Sequence, residues 1–184
     1  MGNVKKIVLD DTNNIDIINY EKGLFIANSK GITKYPNFLE QTYMIDTKEK
    51  RLTPKLQNNE YFNIFVIKEN DEIIAGVCSN LNMKDPLFLK FGFSGNYDNP
   101  ENSEGFGLYS TKSFIHGFGY VAEELWNFAR DYMINKGVIY NFGTAYGKRA
   151  LNPYLSMGYE IVDSISYDKE LYLIKYDLRK NLHQ

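Results

Sequence analysis

The longest regular pattern of apolar and polar positions runs from residue 120 to residue 136. Apolar residues recur there every three or four positions, and acids, amides and an arginine occupy positions between them. This spacing places the apolar residues on one face, so we predict a helix from Tyr120 to about Lys136. Gly137 accepts the left-handed backbone that commonly ends a helix. The apolar run after it, Val138–Gly143, is predicted to be a buried strand.

Shorter apolar runs predict further strands. Lys5–Leu9 is expected to be the first strand of the chain. Two pairs of β-rich runs, each joined by a short polar turn, predict two hairpins. The first hairpin joins Tyr61–Lys68 to Glu72–Leu81, and the second joins Tyr159–Ser166 to Leu171–Leu178.

The remaining segments are less regular. Loosely helical spacing predicts a helix over Ile15–Ser29 and a second, short helix over Asn37–Met44. Thr47–Gln57 is charged and contains a proline, and Asn82–Glu104 holds several glycines, asparagines and prolines. Both segments are therefore predicted to be loops. Gly105–Thr111 is expected to be a strand that leads towards the long helix.

The order of these elements predicts the fold class. A strand, a long helix and another strand in succession imply a parallel pair with a crossover helix, and the hairpins add antiparallel strands. We expect an α/β (α+β) fold in which helices flank a central mixed sheet on both faces. One domain is predicted over residues 1–184, with N-terminal helices in 1–60, a core in 61–178 and a polar tail in 179–184.

Net charge and hydropathy exclude several classes of partner. The formal net charge of −2 gives no electrostatic basis for nucleic acid or an anionic membrane as the main partner. No apolar run approaches the ~18 residues of a membrane span, and the run near the N-terminus is too short for a signal peptide. We therefore expect a cytoplasmic protein with no nucleic-acid and no membrane partner.

Cysteine and histidine usage argues against a metal site. Cys78 is the one cysteine, so no disulfide can form within the chain. It lies in an apolar strand, and we expect a buried core residue rather than a nucleophile. His116 and His183 are the only histidines, so no metal cofactor is expected.

A glycine-spaced turn, Gly117-Phe118-Gly119, opens the long helix. Such a turn exposes backbone N–H groups that suit an anion such as a pyrophosphate, although the glycines could simply let the helix start tightly. Two phosphate motifs can be rejected. Gly143–Arg149 has three residues between its glycines where a P-loop has four, and Arg replaces Ser or Thr. Gly117–Ala122 fits a dinucleotide fingerprint, but no acidic residue closes the strand after it.

Three places in this sequence together resemble the GNAT acetyltransferase superfamily. Gly76 follows an apolar run in a hairpin strand, where such enzymes often have an apolar residue and a glycine. Gly117-Phe118-Gly119 is similar to the end of their acetyl-CoA pyrophosphate loop. Ala150–Glu160 is similar to their closing segment Ala-x-x-x-Tyr-x-x-x-Gly-Phe-Glu, with Tyr154 and Gly158 in register.

The resemblance covers roughly residues 61–178, and departures from the family pattern include residues 114 and 147. Phe114 stands where Arg or Gln is usual, and Gly147 stands where Asn is common. Backbone N–H groups could still hold a pyrophosphate, because they do not depend on the side chain at residue 114. The resemblance implies a GNAT-like mixed sheet flanked by helices.

The resemblance also implies N-acetyl transfer from acetyl-CoA, as a cosubstrate, to an amine of a small molecule or peptide. The residues implied for binding the pyrophosphate by their backbone N–H groups are Gly117, Phe118, Gly119 and Tyr120. Lys148 would contact a CoA phosphate, or else be part of a solvated surface. Homodimer formation is left open.

For the chemical step, the resemblance implies that Tyr154 protonates the departing thiolate. Tyr154 could instead be a packing tyrosine with a wet hydroxyl. Glu104 and His116 are candidate bases that would deprotonate the amine, with water as an alternative. His116 could also be an ordinary loop residue.

Two alternatives to acetyl transfer stay open at this point. One is transfer of a longer acyl group from another acyl thioester. The other is a non-catalytic protein of the same fold that senses a ligand or binds a partner. Release of free CoA thiol separates an enzyme from the non-catalytic protein, because a binding module releases none.

Overall fold

The computed structural model describes residues 3–55, 62–81, 83–111 and 120–183. The strands in these residues are β1 (Val4–Leu9), β2 (Tyr43–Asp46), β3 (Arg51–Pro54), β4 (Phe62–Glu69), β5 (Glu72–Leu81), β6 (Asn102–Ser110), β7 (Tyr140–Tyr146), β8 (Glu160–Ser166) and β9 (Glu170–Asp177). The helices are α1 (Asn14–Ala27), α2 (Ser29–Lys34), α3 (Pro36–Leu39), α4 (Tyr120–Asn135) and α5 (Lys148–Met157). Two 3₁₀ helices span Leu87–Phe91 and Leu178–His183.

Seven strands form one mixed sheet in the order β1-β4-β5-β6-β7-β9-β8, and helices flank it. β6 and β7 run parallel with α4 between them in the chain, as the strand–helix–strand pattern predicts. The antiparallel pairs of this sheet include β1 with β4, β7 with β9, and β8 with β9. The predicted fold class is therefore confirmed. β2 and β3 form a separate two-stranded sheet.

The chain divides into two compact units. The first unit comprises Met1–Ser79 and Gly107–Phe128. In it, α1 packs against β3, and the core includes the fully buried residues Tyr20, Leu24 and Leu52.

Gly76 and Cys78 both pack against Tyr20 in this unit. A Cβ on Gly76 would lie 2.6 Å from the Tyr20 ring, so the glycine allows this ring to pack closely on β5. Cys78 is buried, and its Sγ lies 2.9 Å from the Tyr20 hydroxyl. Cys78 is therefore a core residue, as predicted.

The second unit comprises Asn80–Phe106 and Ala129–Gln184. Its core includes Phe88, Met133, Leu171, Leu173 and Ile174. Gly137 follows α4 at φ +85°, and Gly158 caps α5 at φ +105°. Both are left-handed positions where glycine ends a helix without steric cost, so the predicted stop at Gly137 is confirmed.

Two predictions for the N-terminal part are wrong. The second short helix ends at Leu39, and Met44 lies in β2 instead. Residues 51–54, predicted as part of a loop, form β3 and pair with β2. Packing explains the difference, because Leu52 is fully buried in the unit where α1 packs on β3.

Two boundaries near the middle of the chain also differ from the prediction. The loop predicted to extend to Glu104 contains the 3₁₀ helix Leu87–Phe91, and β6 begins at Asn102. β7 begins at Tyr140, two residues later than predicted, because the N–H groups of Ile139 and Tyr140 both bond to the Glu101 carbonyl. The first boundary matters for function, since it places Glu104 inside a strand.

Candidate functional site

Glu104 is a buried carboxylate on β6, with 3% of its surface exposed. The backbone N–H of Leu87 donates to Oε1 and that of Phe88 donates to Oε2, each at 2.9 Å. Both donors belong to the first turn of the 3₁₀ helix Leu87–Phe91, where N–H groups have no partner within the helix. The carboxylate therefore caps this helix from β6, one strand of the parallel pair.

Burial raises the pKa of Glu104 to about 7. The two backbone N–H groups, a hydrogen bond from the Asn80 side chain and the positive charge of Lys90 act in the opposite direction, and burial outweighs them. A carboxylate with this pKa is about half ionised near neutral pH. It is therefore matched to accepting a proton there, as a general base must.

Aromatic side chains line the same face of the sheet as Glu104. Phe142 is its register partner on β7, and the Phe88 ring stacks on Phe142 with ring centroids 6.0 Å apart. Tyr97 packs edge-on against both rings, at 4.9 Å from Phe88 and 5.4 Å from Phe142. These rings keep water away, which is the physical reason for the raised pKa.

The opposite face of the same strand pair carries a buried polar network. Ser103 and Asn141 are register partners, and Ser103 Oγ donates to Asn141 Oδ1 at 3.0 Å. Asn141 is 5% exposed, and its Nδ2 donates to the Tyr159 hydroxyl at 2.9 Å. Side chains alternate along a strand, so Ser103 and Glu104 point to opposite faces of the sheet.

Tyr154 lies on α5 and is half-buried. Its ring packs edge-on against Tyr159 with centroids 5.3 Å apart, and the Tyr159 N–H donates to the Tyr154 carbonyl at 3.0 Å. Burial raises the pKa of the Tyr154 phenol above its ordinary value of 10. The hydroxyl therefore stays protonated at physiological pH and is a constant hydrogen-bond donor, although a weaker acid than a free phenol.

The described residues cover part of the predicted site. Glu104 and Tyr154 both lie in the second compact unit, Glu104 on β6 and Tyr154 on α5, which packs against β7. Lys148 is exposed and is the first residue of α5, while Tyr120 is the first residue of α4. Residues His116, Gly117, Phe118 and Gly119 lie outside the described residues. Their predicted roles stay predictions.

Sequence reasoning missed Ser103 and Asn141. A signal was present, because Asn141 interrupts an apolar strand run and a buried polar residue needs hydrogen-bond partners. Gly105 supports the network, since a Cβ there would lie 3.3 Å from Asn141 Nδ2. The glycine leaves room for the amide.

In the described ranges, no group of three or more His, Cys, Asp or Glu side chains is placed to hold a metal ion. None of the helices described for this chain is long and apolar enough to cross a membrane.

Comparison with known proteins gives matches in structure rather than in sequence. No family model matches the chain, and no curated protein sequence matches it. The crystal structure of the AHL synthase LasI matches with a TM-score of 0.68 at 8% identity, over 97% of this chain and 91% of that one. BjaI, a CoA-dependent acyl-homoserine lactone synthase solved with SAM and isopentyl-CoA, also matches with a TM-score of 0.68. Its identity is 9%, over 97% of this chain and 85% of that one.

A probable acetyltransferase from Staphylococcus epidermidis matches with a TM-score of 0.58 at 13% identity, over 95% of this chain and 99% of that one. At these identities the similarity shows the fold alone. The predicted GNAT fold is confirmed.

Proposed function

We propose that the protein transfers an acyl group from an acyl thioester to an amine, with acetyl-CoA as the donor. The observation that carries this proposal is Glu104, a buried carboxylate on a parallel strand with a pKa of about 7. The GNAT fold supports it, because all three proteins compared above are named as acyl-homoserine lactone synthases or a probable acetyltransferase.

In the proposed reaction, the amine nitrogen of the acceptor attacks the thioester carbonyl carbon. A C–N bond forms and the carbonyl electrons move to oxygen. When the oxyanion collapses, the C–S bond breaks and CoA leaves as a thiolate. Glu104 takes the proton that the nitrogen loses and later passes it to solvent.

Tyr154 is assigned to the leaving group in this proposal. Its phenol donates a hydrogen bond to the sulfur as negative charge develops, and the thiolate takes the proton once the C–S bond has broken. Solvent then reprotonates the phenol. The raised pKa of Tyr154 keeps the hydroxyl protonated, so it is available to donate this hydrogen bond.

The donor pyrophosphate is assigned to the backbone N–H groups of Gly117–Tyr120. The support for this assignment is that α4 begins at Tyr120, because the N-terminus of a helix attracts anions. Lys148 is assigned to a CoA phosphate, and its exposure leaves its ammonium group accessible. The acceptor is a small-molecule or peptide amine, and the proposed compartment is the cytoplasm.

Transfer of a longer acyl group is the second candidate. One observation favours it: the fold matches two acyl-homoserine lactone synthases at a TM-score of 0.68, above the 0.58 for the probable acetyltransferase. A donor series from acetyl-CoA to long-chain acyl-CoA separates the two candidates by relative kcat/KM.

The test measures thiol released from acetyl-CoA and from longer acyl-CoA donors across a panel of amines. We expect amine-dependent release that Glu104→Gln lowers by about 100-fold or more. Glu72→Gln is the matched control, because Glu72 is an exposed carboxylate at the start of β5. Donor binding without any thiol release would instead support a non-catalytic binding protein and contradict the proposal.

A further inference from the structure

We propose that Asn141 is a positioning residue for the Tyr154 phenol and acts through Tyr159. This inference rests on the role proposed for Tyr154. All three side chains lie in the second compact unit: Asn141 on β7, Tyr154 on α5, and Tyr159 between α5 and β8. A hydrogen bond of 2.9 Å and an edge-on ring contact of 5.3 Å connect them in that order.

The Asn141 amide is held from one side by Ser103. Ser103 is fully buried, and its Oγ lies 3.0 Å from Asn141 Oδ1 and 3.1 Å from the Tyr140 carbonyl. Because Oδ1 of Asn141 faces Ser103, Nδ2 points away from Ser103 and donates to the Tyr159 hydroxyl. The Asn141 amide is thus held between the Ser103 and Tyr159 hydroxyl groups.

Tyr159 is held at its hydroxyl and along its ring. It is 6% exposed, and its ring also contacts Tyr176 with centroids 5.1 Å apart. Its backbone N–H bonds to the Tyr154 carbonyl, so the two tyrosines are linked through both backbone and rings. A shift of the Tyr159 ring therefore displaces the surface on which Tyr154 rests.

A packing role alone does not account for the polarity of this cluster. Phenylalanine at 159 and leucine at 141 would fill similar space without burying polar groups, which cost free energy unless each is paired. Gly105 adds to the argument, because a Cβ at that position would crowd the Asn141 amide at 3.3 Å. A fully paired buried network specifies one orientation of its members.

The first part of the test compares Asn141→Leu, Tyr159→Phe and the double variant. Each single change removes one partner of the buried Asn141–Tyr159 hydrogen bond and should lower stability to denaturant, whereas the double variant removes both groups and should regain most of it. We expect kcat to stay about tenfold low in all three, with KM for the donor within about twofold. Recovery of kcat together with stability in the double variant would overturn the proposal, because a merely structural role predicts it.

The second part places Asn141→Leu in a Tyr154→Phe background. If Asn141 acts through the Tyr154 hydroxyl, Asn141→Leu should cause no further loss of kcat there. A further tenfold loss would show that Asn141 acts by another route. If Tyr154→Phe alone leaves kcat unchanged, the proposed role of Tyr154 fails, which is a different result. Tyr172→Phe, a half-buried tyrosine on β9, is the control.

An NMR measurement tests the positioning without any activity. With tyrosines labelled at Cζ, the Tyr154 signal is compared between the wild type and the Asn141→Leu/Tyr159→Phe variant. We expect a changed chemical shift and faster averaging of the Tyr154 ring signals in the variant, at equal stability. An unchanged Tyr154 signal would overturn the proposal even if the protein proves to be inactive.

Discussion

Replacing Glu104 by glutamine should change how folding stability depends on pH. In the wild type, the carboxylate is fully buried and caps the 3₁₀ helix Leu87–Phe91 with both oxygens. Glutamine has nearly the same size, but it carries no charge and offers only one acceptor oxygen. Its NH₂ group would face one of the two backbone N–H groups, which leaves that donor unpaired.

The magnitude follows from the pKa of Glu104, about 7 in the fold against an ordinary value of 4.5. The folded state binds more protons than the unfolded state between these values, so stability falls as pH rises through this window. The difference corresponds to about 3 kcal/mol of stability, present below pH 4.5 and lost above pH 7. Glutamine does not titrate, so its variant lacks this contribution.

The assay is denaturant unfolding of the wild type and Glu104→Gln at pH 5 and pH 8. Most of the ~3 kcal/mol should appear as a fall in wild-type stability between these two pH values that the variant does not show. Glu72→Gln, at an exposed position, controls for the general effect of removing a carboxylate. Parallel pH dependence in the wild type and Glu104→Gln would refute the reasoning that Glu104 has a raised pKa.

Two further predictions concern other residues. Tyr154→Phe should lower kcat about 100-fold, because a hydrogen-bond donor to the leaving sulfur is lost. It should leave the thermal shift caused by acetyl-CoA unchanged, and a lost shift would instead assign Tyr154 to donor binding. Gly76→Ala should destabilise the fold by about 2 kcal/mol in denaturant unfolding, because the new Cβ would lie 2.6 Å from the Tyr20 ring. A neutral Gly76→Ala would show that the close packing described here is wrong.

Strong local patterns in the sequence predicted much of the fold. α4 follows from its helical spacing and from Gly137, which lies at φ +85° in the structure. Both long hairpins follow from apolar runs around short turns. In the first hairpin, Asn70 and Asp71 have φ values of +51° and +67°, typical of the tight turn that connects two such strands.

The β2–β3 hairpin could not be predicted in the same way, because its stability comes from distant residues. Arg51 begins β3, and its charge made the segment look like a loop. In the structure Arg51 Nη2 lies 2.7 Å from Glu21 Oε1, which belongs to α1, 30 residues earlier. No local rule indicates that this charge is paired by tertiary structure.

The candidate site shows the same division between local and distant information. Glu104 was identified as a candidate base from its place in the chain, but its partners Leu87 and Phe88 lie 17 and 16 residues away, in a predicted loop. Its burial, and therefore its pKa, depends on that tertiary contact. Asn141 was missed because its partners Ser103 and Tyr159 are 38 and 18 residues distant.

The most direct test of Glu104 as general base is the pH profile of kcat/KM for acyl transfer. An acceptor amine with a pKa below 5 should be used, so that the amine itself does not titrate in the measured range. We predict that kcat/KM of the wild type rises with pH and levels off above about 7, the pKa of Glu104. Glu104→Gln should have a low rate without this rise. The same rise near pH 7 in Glu104→Gln would contradict the assignment of Glu104 as the base.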